Sequence, residues 1–245
     1  MNETVNLALW LGFLLGLKHA TEADHIVAVS TIVSEQRSVW RSALVGALWG
    51  IGHTASLLIA SIIVISLRVA IPETIAAYLE FGVALMIILL GTHVLYRVLR
   101  DNRRVHVHAH EHDGYTHTHL HFHDERSAHD SRDAAHGAHH THVIGNLGWK
   151  PLLVGMVHGL AGSAALTLLV LTEVMRGGSS ALGLAYLLVF GIGSIGGMLL
   201  MSALIGLPFV FTAERFARLN VPIRVLAGLG SILFGFYYAW ETWAG

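Results

Sequence analysis

Leu14-Leu-Gly-Leu-Lys-His-Ala-Thr-Glu-Ala-Asp-His-Ile26 sets two histidines and an aspartate inside an otherwise apolar segment. Upstream, Leu7 to Leu17 is nearly all apolar, and so is Ile26 to Val33 downstream. On insertion scales an Asp, Lys or Arg at bilayer depth costs roughly 2.5–3.5 kcal/mol, so such residues are rare there and serve a function. Two imidazoles and a carboxylate are also borderline-to-hard metal ligands. The stretch therefore reads as part of a membrane helix that handles a divalent cation.

Composition agrees with a membrane chain. The protein is 54% hydrophobic and 13% charged, where soluble domains carry about 25% charged residues. Its mean hydropathy is +0.61. The net charge of −1 offers no basic patch for nucleic acid, and none is expected as a partner. The chain has no cysteine, which removes disulfides, thiolate metal sites and iron–sulfur clusters. The first residues, Met-Asn-Glu-Thr-Val-Asn, lack a basic region, so the first apolar segment is expected to stay as a span.

Six apolar stretches reach the ~20 residues that a bilayer requires. They lie near 5–33, 42–67, 75–99, 150–174, 180–206 and 222–243, with a polar segment at 101–148. Alternating six spans puts twelve Lys and Arg on the face that carries this segment and two, Arg68 and Arg176, on the other. Positive residues mark the cytoplasmic side. The 101–148 loop is thus expected in the cytoplasm, with both termini outside.

The two halves resemble each other. Gly16-Leu-Lys-His19 corresponds to Gly155-Met-Val-His158. Trp49-Gly-Ile-Gly-His53 corresponds to Phe190-Gly-Ile-Gly-Ser194, and Leu85 to Gly91 more weakly to Leu229 to Gly235. The offsets of 139, 141 and 144 keep the same order. Three spans per copy is odd, so the second copy enters from the opposite side. That predicts an all-α membrane fold built as an inverted 3+3 repeat: 1–100, the 101–148 loop, then 149–245. Such repeats place their site between the halves, near the midplane.

His19, Asp24 and His25 are the first candidate ligands. On a straight helix the two rings point about 120° apart at ~100° per residue. A single ion needs both, so a break between them is expected. Lys18 and Glu22, four apart, are expected to pair. His53, mid-span between small residues, is a ligand or supports one. His158 holds the place equivalent to His19 but lacks a carboxylate neighbour, so it can ligate, support or gate. His93, near the end of the third span, reads equally as an interfacial or a pathway residue.

The loop is the second signal. Thirteen of the 37 residues from His106 to His142 are His. They include the alternations His106, His108, His110, His112 and His117, His119, His121, His123. Low apolar content predicts disorder, and imidazole density predicts weak, exchanging metal binding.

The His19-Ala-Thr-Glu-Ala-Asp24-His25 motif, followed one helix later by Gly50-Ile-Gly-His53-Thr54, resembles the nickel/cobalt transporter family within the wider NicO group. The segment Gly155-Met-Val-His158-Gly-Leu-Ala-Gly looks like its UreH-like branch, whose members are described as urease-accessory membrane proteins. The resemblance implies a metal-recognition site of His19, Asp24 and His25 with a contribution from His53. It implies Ni²⁺ or Co²⁺ as transported substrate, with no prosthetic group and no enzymatic step. It further implies a prokaryotic cell membrane, with cytoplasmic nickel chaperones as partners. Typical members have eight spans rather than six, and an acidic motif expected in the second half is replaced here by small residues. Carriage or efflux of Zn²⁺, and nickel delivery without transport, are the competing readings. Because His must be neutral to bind a metal, acid is expected to weaken uptake.

Overall fold

A computed structural model describes residues 2–67, 72–102, 105–112, 115–122, 149–161 and 179–244. Seven helices account for most of them. The first apolar segment forms two, α1 (Asn2–His19) and α2 (Ala23–Val33). Then come α3 (Val39–Leu67), α4 (Glu73–Asn102) and α5 (150–161). The last two are α6 (Ser180–Arg215) and α7 (Ala217–Ala244). Helices α3, α4, α6 and α7 each contain a stretch long and apolar enough to cross a membrane, while α1 and α2 are shorter apolar pieces. The expected fourth span begins as α5, and its remainder lies outside the described residues.

The expected break in the first span is present. Helix α1 stops at His19, residues 20–22 turn, and α2 restarts at Ala23. The turn keeps its backbone bonded, Thr21 N–H to Lys18 O at 2.8 Å and Glu22 N–H to His19 O at 3.1 Å. Backbone polar groups at membrane depth need such partners, because lipid offers none.

Two expectations are corrected. The 101–148 loop, read as disordered, contains an antiparallel hairpin, β1 (Val105–His112) with β2 (Tyr115–Phe122). The strict alternation of His with other residues is a strand period. The two runs flank Asp113-Gly114, a pair that two-residue hairpin loops favour. The expected gap at 207–221 is also mostly helical, since α6 runs past Pro208 to Arg215 and α7 starts at Ala217. Thr212 Oγ1 donates to the Pro208 carbonyl at 2.7 Å, and Asn220 Nδ2 donates to the Phe209 carbonyl at 3.0 Å. These polar side chains satisfy carbonyls around the junction, so no long loop is needed.

Small residues set the packing. A Cβ on Gly16 of α1 would collide with the Phe190 carbonyl of α6, and one on Gly193 of α6 with the Phe13 carbonyl of α1. A Cβ on Gly155 of α5 would collide with the Trp49 carbonyl of α3, and one on Gly52 of α3 with the Leu152 carbonyl of α5. Helix backbones meet this closely only where side chains vanish. The contacts also give chain direction. Gly16 faces Phe190 and Gly197 faces Ala20, so α1 and α6 run parallel. Gly155 faces Trp49 and Gly159 faces His53, so α3 and α5 run parallel. Gly46 faces Ser202 and Gly191 faces Thr54, so α3 and α6 run antiparallel. Gly91 meets Gly228 and Gly235 meets Ala84, so α4 and α7 are antiparallel too.

Gly82 supplies a control, since a Cβ there meets nothing within 4 Å. Gly82→Ala is expected to be neutral or to stabilise by up to about 1 kcal/mol through helix propensity. Gly16→Ala and Gly155→Ala are each expected to cost at least the ~1–3 kcal/mol typical of overpacking. Thermal unfolding of the detergent-solubilised variants measures the difference.

Candidate metal centre

The turn at 20–22 reorients the chain so that His19 ends one helix while Asp24 and His25 begin the next. Their rings now meet, with centroids 4.5 Å apart. Helix α3 brings His53 to the same place. His19 Nε2 and His53 Nε2 lie 3.1 Å apart, and the His25 and His53 ring centroids 5.3 Å. Helix α5 adds His158, 4.1 Å from His25 by ring centroids. His25, His53 and His158 are buried, at 2%, 0% and 1% exposure.

Two overlapping ligand sets result. His19, His25 and His53 each offer a ligand atom, all within 4.8 Å of one another; so do Asp24, His25 and His158. Asp24 is the best-partnered of these groups. Its Oδ1 accepts from the His25 backbone N–H at 2.8 Å and faces His25 Nδ1 at 2.9 Å. Its Oδ2 faces His158 Nε2 at 2.9 Å. With Nδ1 of His25 turned to Asp24, the nitrogen that remains is Nε2, which is buried and has no hydrogen-bond partner among the described residues. His53 Nδ1 and His158 Nδ1 are in the same condition.

Glu22 corrects another expectation. Its Oε2 lies 3.0 Å from His19 Nδ1, in place of the expected pairing with Lys18. The pairing with Lys18 presumed an unbroken helix, and the chain leaves the helix between the two. A His19 Nδ1–H donated to Glu22 leaves Nε2 with its lone pair toward His53. Two nitrogens bound to one ion at about 2.0–2.1 Å each stand roughly 3 Å or slightly more apart, so the 3.1 Å spacing suits a shared cation.

A cavity of about 290 Å³ reaches this cluster. His19, Asp24, His25 and His158 line it, together with Lys18, Glu22, Glu80 and Tyr238. The sequence reading missed Glu80 and Tyr238, which carry no motif and are brought to the cavity by α4 and α7. It missed Trp49 too. The indole stacks on His25 at 5.6 Å and meets His158 edge-on at 5.5 Å.

His93 does not join the cluster. It lines a different cavity with Glu35, Arg97 and Lys150. In the hairpin, the register sets His106 opposite His121, His108 opposite His119 and His110 opposite His117, with His112 opposite Tyr115. His123 lies outside the described residues.

Comparison with known proteins gives a consistent answer. Urease accessory protein UreH of Bacillus sp. strain TB-90 is 36% identical over 234 residues, covering 95% of this chain and 90% of the relative. A high-affinity nickel transport protein of Cupriavidus necator is 29% identical over 73 residues, 29% of this chain and 21% of that protein. No solved structure gives a significant match. The NicO family model, described as high-affinity nickel-transport protein, matches residues 6–226. A match of that extent spans the broken first helix, the whole His/Asp cluster, all of α6 and the start of α7, and the chain belongs to the NicO family.

Proposed function

We propose that this chain carries Ni²⁺, with Co²⁺ as the alternative substrate, across a prokaryotic cell membrane through the His19/His25/His53 site. The observation that carries the reading is the convergence of three imidazoles at a helix break, each offering a ligand atom within 4.8 Å of the others. Imidazole suits Ni²⁺, though affinity rises generally along the first-row metals, so selectivity must come from geometry. Asp24 acts from behind, holding the tautomer and tilt of His25 while tying it to His158. A carboxylate on the second nitrogen of a ligating His is a recurrent way to fix the ring and raise its basicity. The His-rich hairpin gathers the ion on the cytoplasmic face.

The domain plan that goes with this is an inverted 3+3 repeat of six spans, with 1–100 and 149–245 as the two copies. The glycine contacts support it. Replacing each residue of the Gly16–Phe190 pair by its repeat equivalent gives the Gly155–Trp49 pair. The same exchange turns Gly193–Phe13 into Gly52–Leu152, and Gly91–Gly228 into Gly235–Ala84. Chance similarity between Gly-rich helices has no reason to conserve which carbonyl each glycine meets.

A second reading is favoured by the name of the more extensive relative, a urease accessory protein. In that case the chain hands nickel to assembly partners without moving it across the bilayer. Purified protein in liposomes separates the two. Carriage predicts Ni²⁺ flux with this protein alone, and an accessory role predicts none. Excess Zn²⁺ that competes as well as Co²⁺ would make the ion, rather than transport, the point to revise.

Two outcomes are expected. His19→Ala, His25→Ala and His53→Ala each abolish Ni²⁺ accumulation by expressing cells while leaving the amount of protein in the membrane unchanged. Titration of purified protein with Ni²⁺ sorts the remaining residues. Asp24→Asn, which keeps the three imidazoles, lowers affinity by about 10–100-fold, the usual effect of losing a ligand's partner. His93→Ala leaves affinity at the wild-type value, because His93 lines the other cavity.

A further inference from the structure

Two cavities approach the centre of the molecule from opposite ends. The first, described above, touches the His/Asp cluster. The second, of about 440 Å³, lies among the end of α2, the later turns of α4 and the start of α5. That is the end of the bundle from which α4 leads into the His-rich loop. The first cavity's walls follow the same helices from the other end: His25 of α2, Val83 of α4 and His158 of α5. The second takes over at Thr31, Leu90 and Val154.

Between them stands one apolar layer. Val29 of α2, Trp49 of α3 and Ile87 of α4 line neither cavity and are buried to 2%, 1% and 0% exposure. All three belong to one packed cluster. Ile87 is one helical turn from Val83 and one from Leu90, so the two cavities are about two turns, ~10 Å, apart along α4. Trp49 is its largest member and the one in contact with the cluster, through His25 and His158. A dehydrated apolar constriction of this kind stops ions without blocking them with charge.

We propose that the second cavity is the loop-side vestibule of the ion path, and that Trp49, packed with Val29 and Ile87, is the gate that closes it in this conformation. The vestibule's apolar wall leads to a polar mouth, where Glu35 is held by Arg97 at 2.6 Å. The second oxygen of Glu35 is buried without a hydrogen-bond partner among the described residues. At about 30 Å³ per water the cavity has room for an ion with its hydration shell. The repeat gives Trp49 a counterpart, Phe190, which lines the cavity that is open and packs on His19 at 5.4 Å. Phe190 therefore stands where a second gate is needed when the two cavities exchange roles.

The gate rests on the carrier reading, yet its test uses no metal, so the two can fail separately. The protein has no native cysteine, and single reporters can be placed in the full chain. Val154→Cys reports the second cavity and Glu80→Cys, half-buried in the wall of the open cavity, the first. The probe is a membrane-impermeant thiol reagent applied to right-side-out or inverted vesicles. Val154→Cys is expected to react only from the loop-bearing face, and Glu80→Cys only from the opposite face. Adding Trp49→Ala, or separately Ile87→Ala, makes Glu80→Cys reactive from both faces, while Phe190→Ala leaves its sidedness unchanged. Monodisperse elution in detergent identifies a variant that has kept its fold, and the Ile87 variant decides if the Trp49 variant has not. The proposal is overturned if Val154→Cys is unreactive from the loop-bearing face, or if Glu80→Cys keeps its sidedness in a folded gate variant.

Discussion

A carboxylate half-buried in an apolar helix draws its partners from the protein itself, and Asp24 is the group on which this site depends. Its two oxygens face three donors: the His25 backbone N–H, His25 Nδ1 and His158 Nε2. Hydrogen bonds to a charged group contribute about 1.5–3 kcal/mol each, comparable to the cost of placing the charge at that depth. Satisfying Asp24 this way has a further consequence. It fixes which nitrogen of His25 is engaged, and the one left over, Nε2, is buried with no hydrogen-bond partner among the described residues. The polar cluster therefore resolves into a carboxylate support and the imidazoles arranged around it rather than five equal candidates.

The helix break makes this arrangement possible, and the glycines hold it in place. Without the turn at 20–22, His19 and His25 would project in different directions from one cylinder. With it, His19 has Glu22 at one nitrogen and His53 at the other. His53 reaches the site because α3 packs closely on both α5 and α6, against carbonyls that a single methyl group would displace. Helix association in lipid has no hydrophobic drive and relies on such close fits. The same small residues that build the bundle thus set the spacing of the clustered imidazole nitrogens.

Much of this was legible in the sequence, for identifiable reasons. The break followed from helical geometry, because His25 lies six positions after His19 and a straight helix would point the two rings apart. The proposed repeat rests on aligned glycines, and it singled out His158 as the echo of His19. Other features depend on what the chain meets in space. Lys18 and Glu22 satisfied a helical spacing rule that the break itself cancelled. Asp24 read as a free ligand, since nothing in the sequence said that His158 would engage its second oxygen. Trp49 looked like any apolar residue in α3, and only its stacking on His25 sets it apart. The hairpin was within reach, since alternation around Asp113-Gly114 is a strand signal, but composition was given more weight than period.

If the chain is the carrier proposed above, the asymmetry between the halves would give the bundle its direction of coupling. His158 echoes His19, yet nothing in the second half echoes Asp24 and His25, so all three imidazoles of the proposed triad come from the first half. Among the described residues, the second half contributes one polar contact to the cluster, His158 Nε2 on Asp24 Oδ2 at 2.9 Å. Asp24 is bonded through one oxygen to its own half and through the other to the opposite half. Any rocking of the repeats against each other has to lengthen or redirect that second bond. The carboxylate would then lose a donor at membrane depth unless a cation replaced it. On the proposed carriage, a divalent ion beside His25 would do so electrostatically, and movement of the second half would be less costly with the site loaded than with it empty. Coupling between loading and movement would then need no wire beyond one carboxylate shared by the two halves.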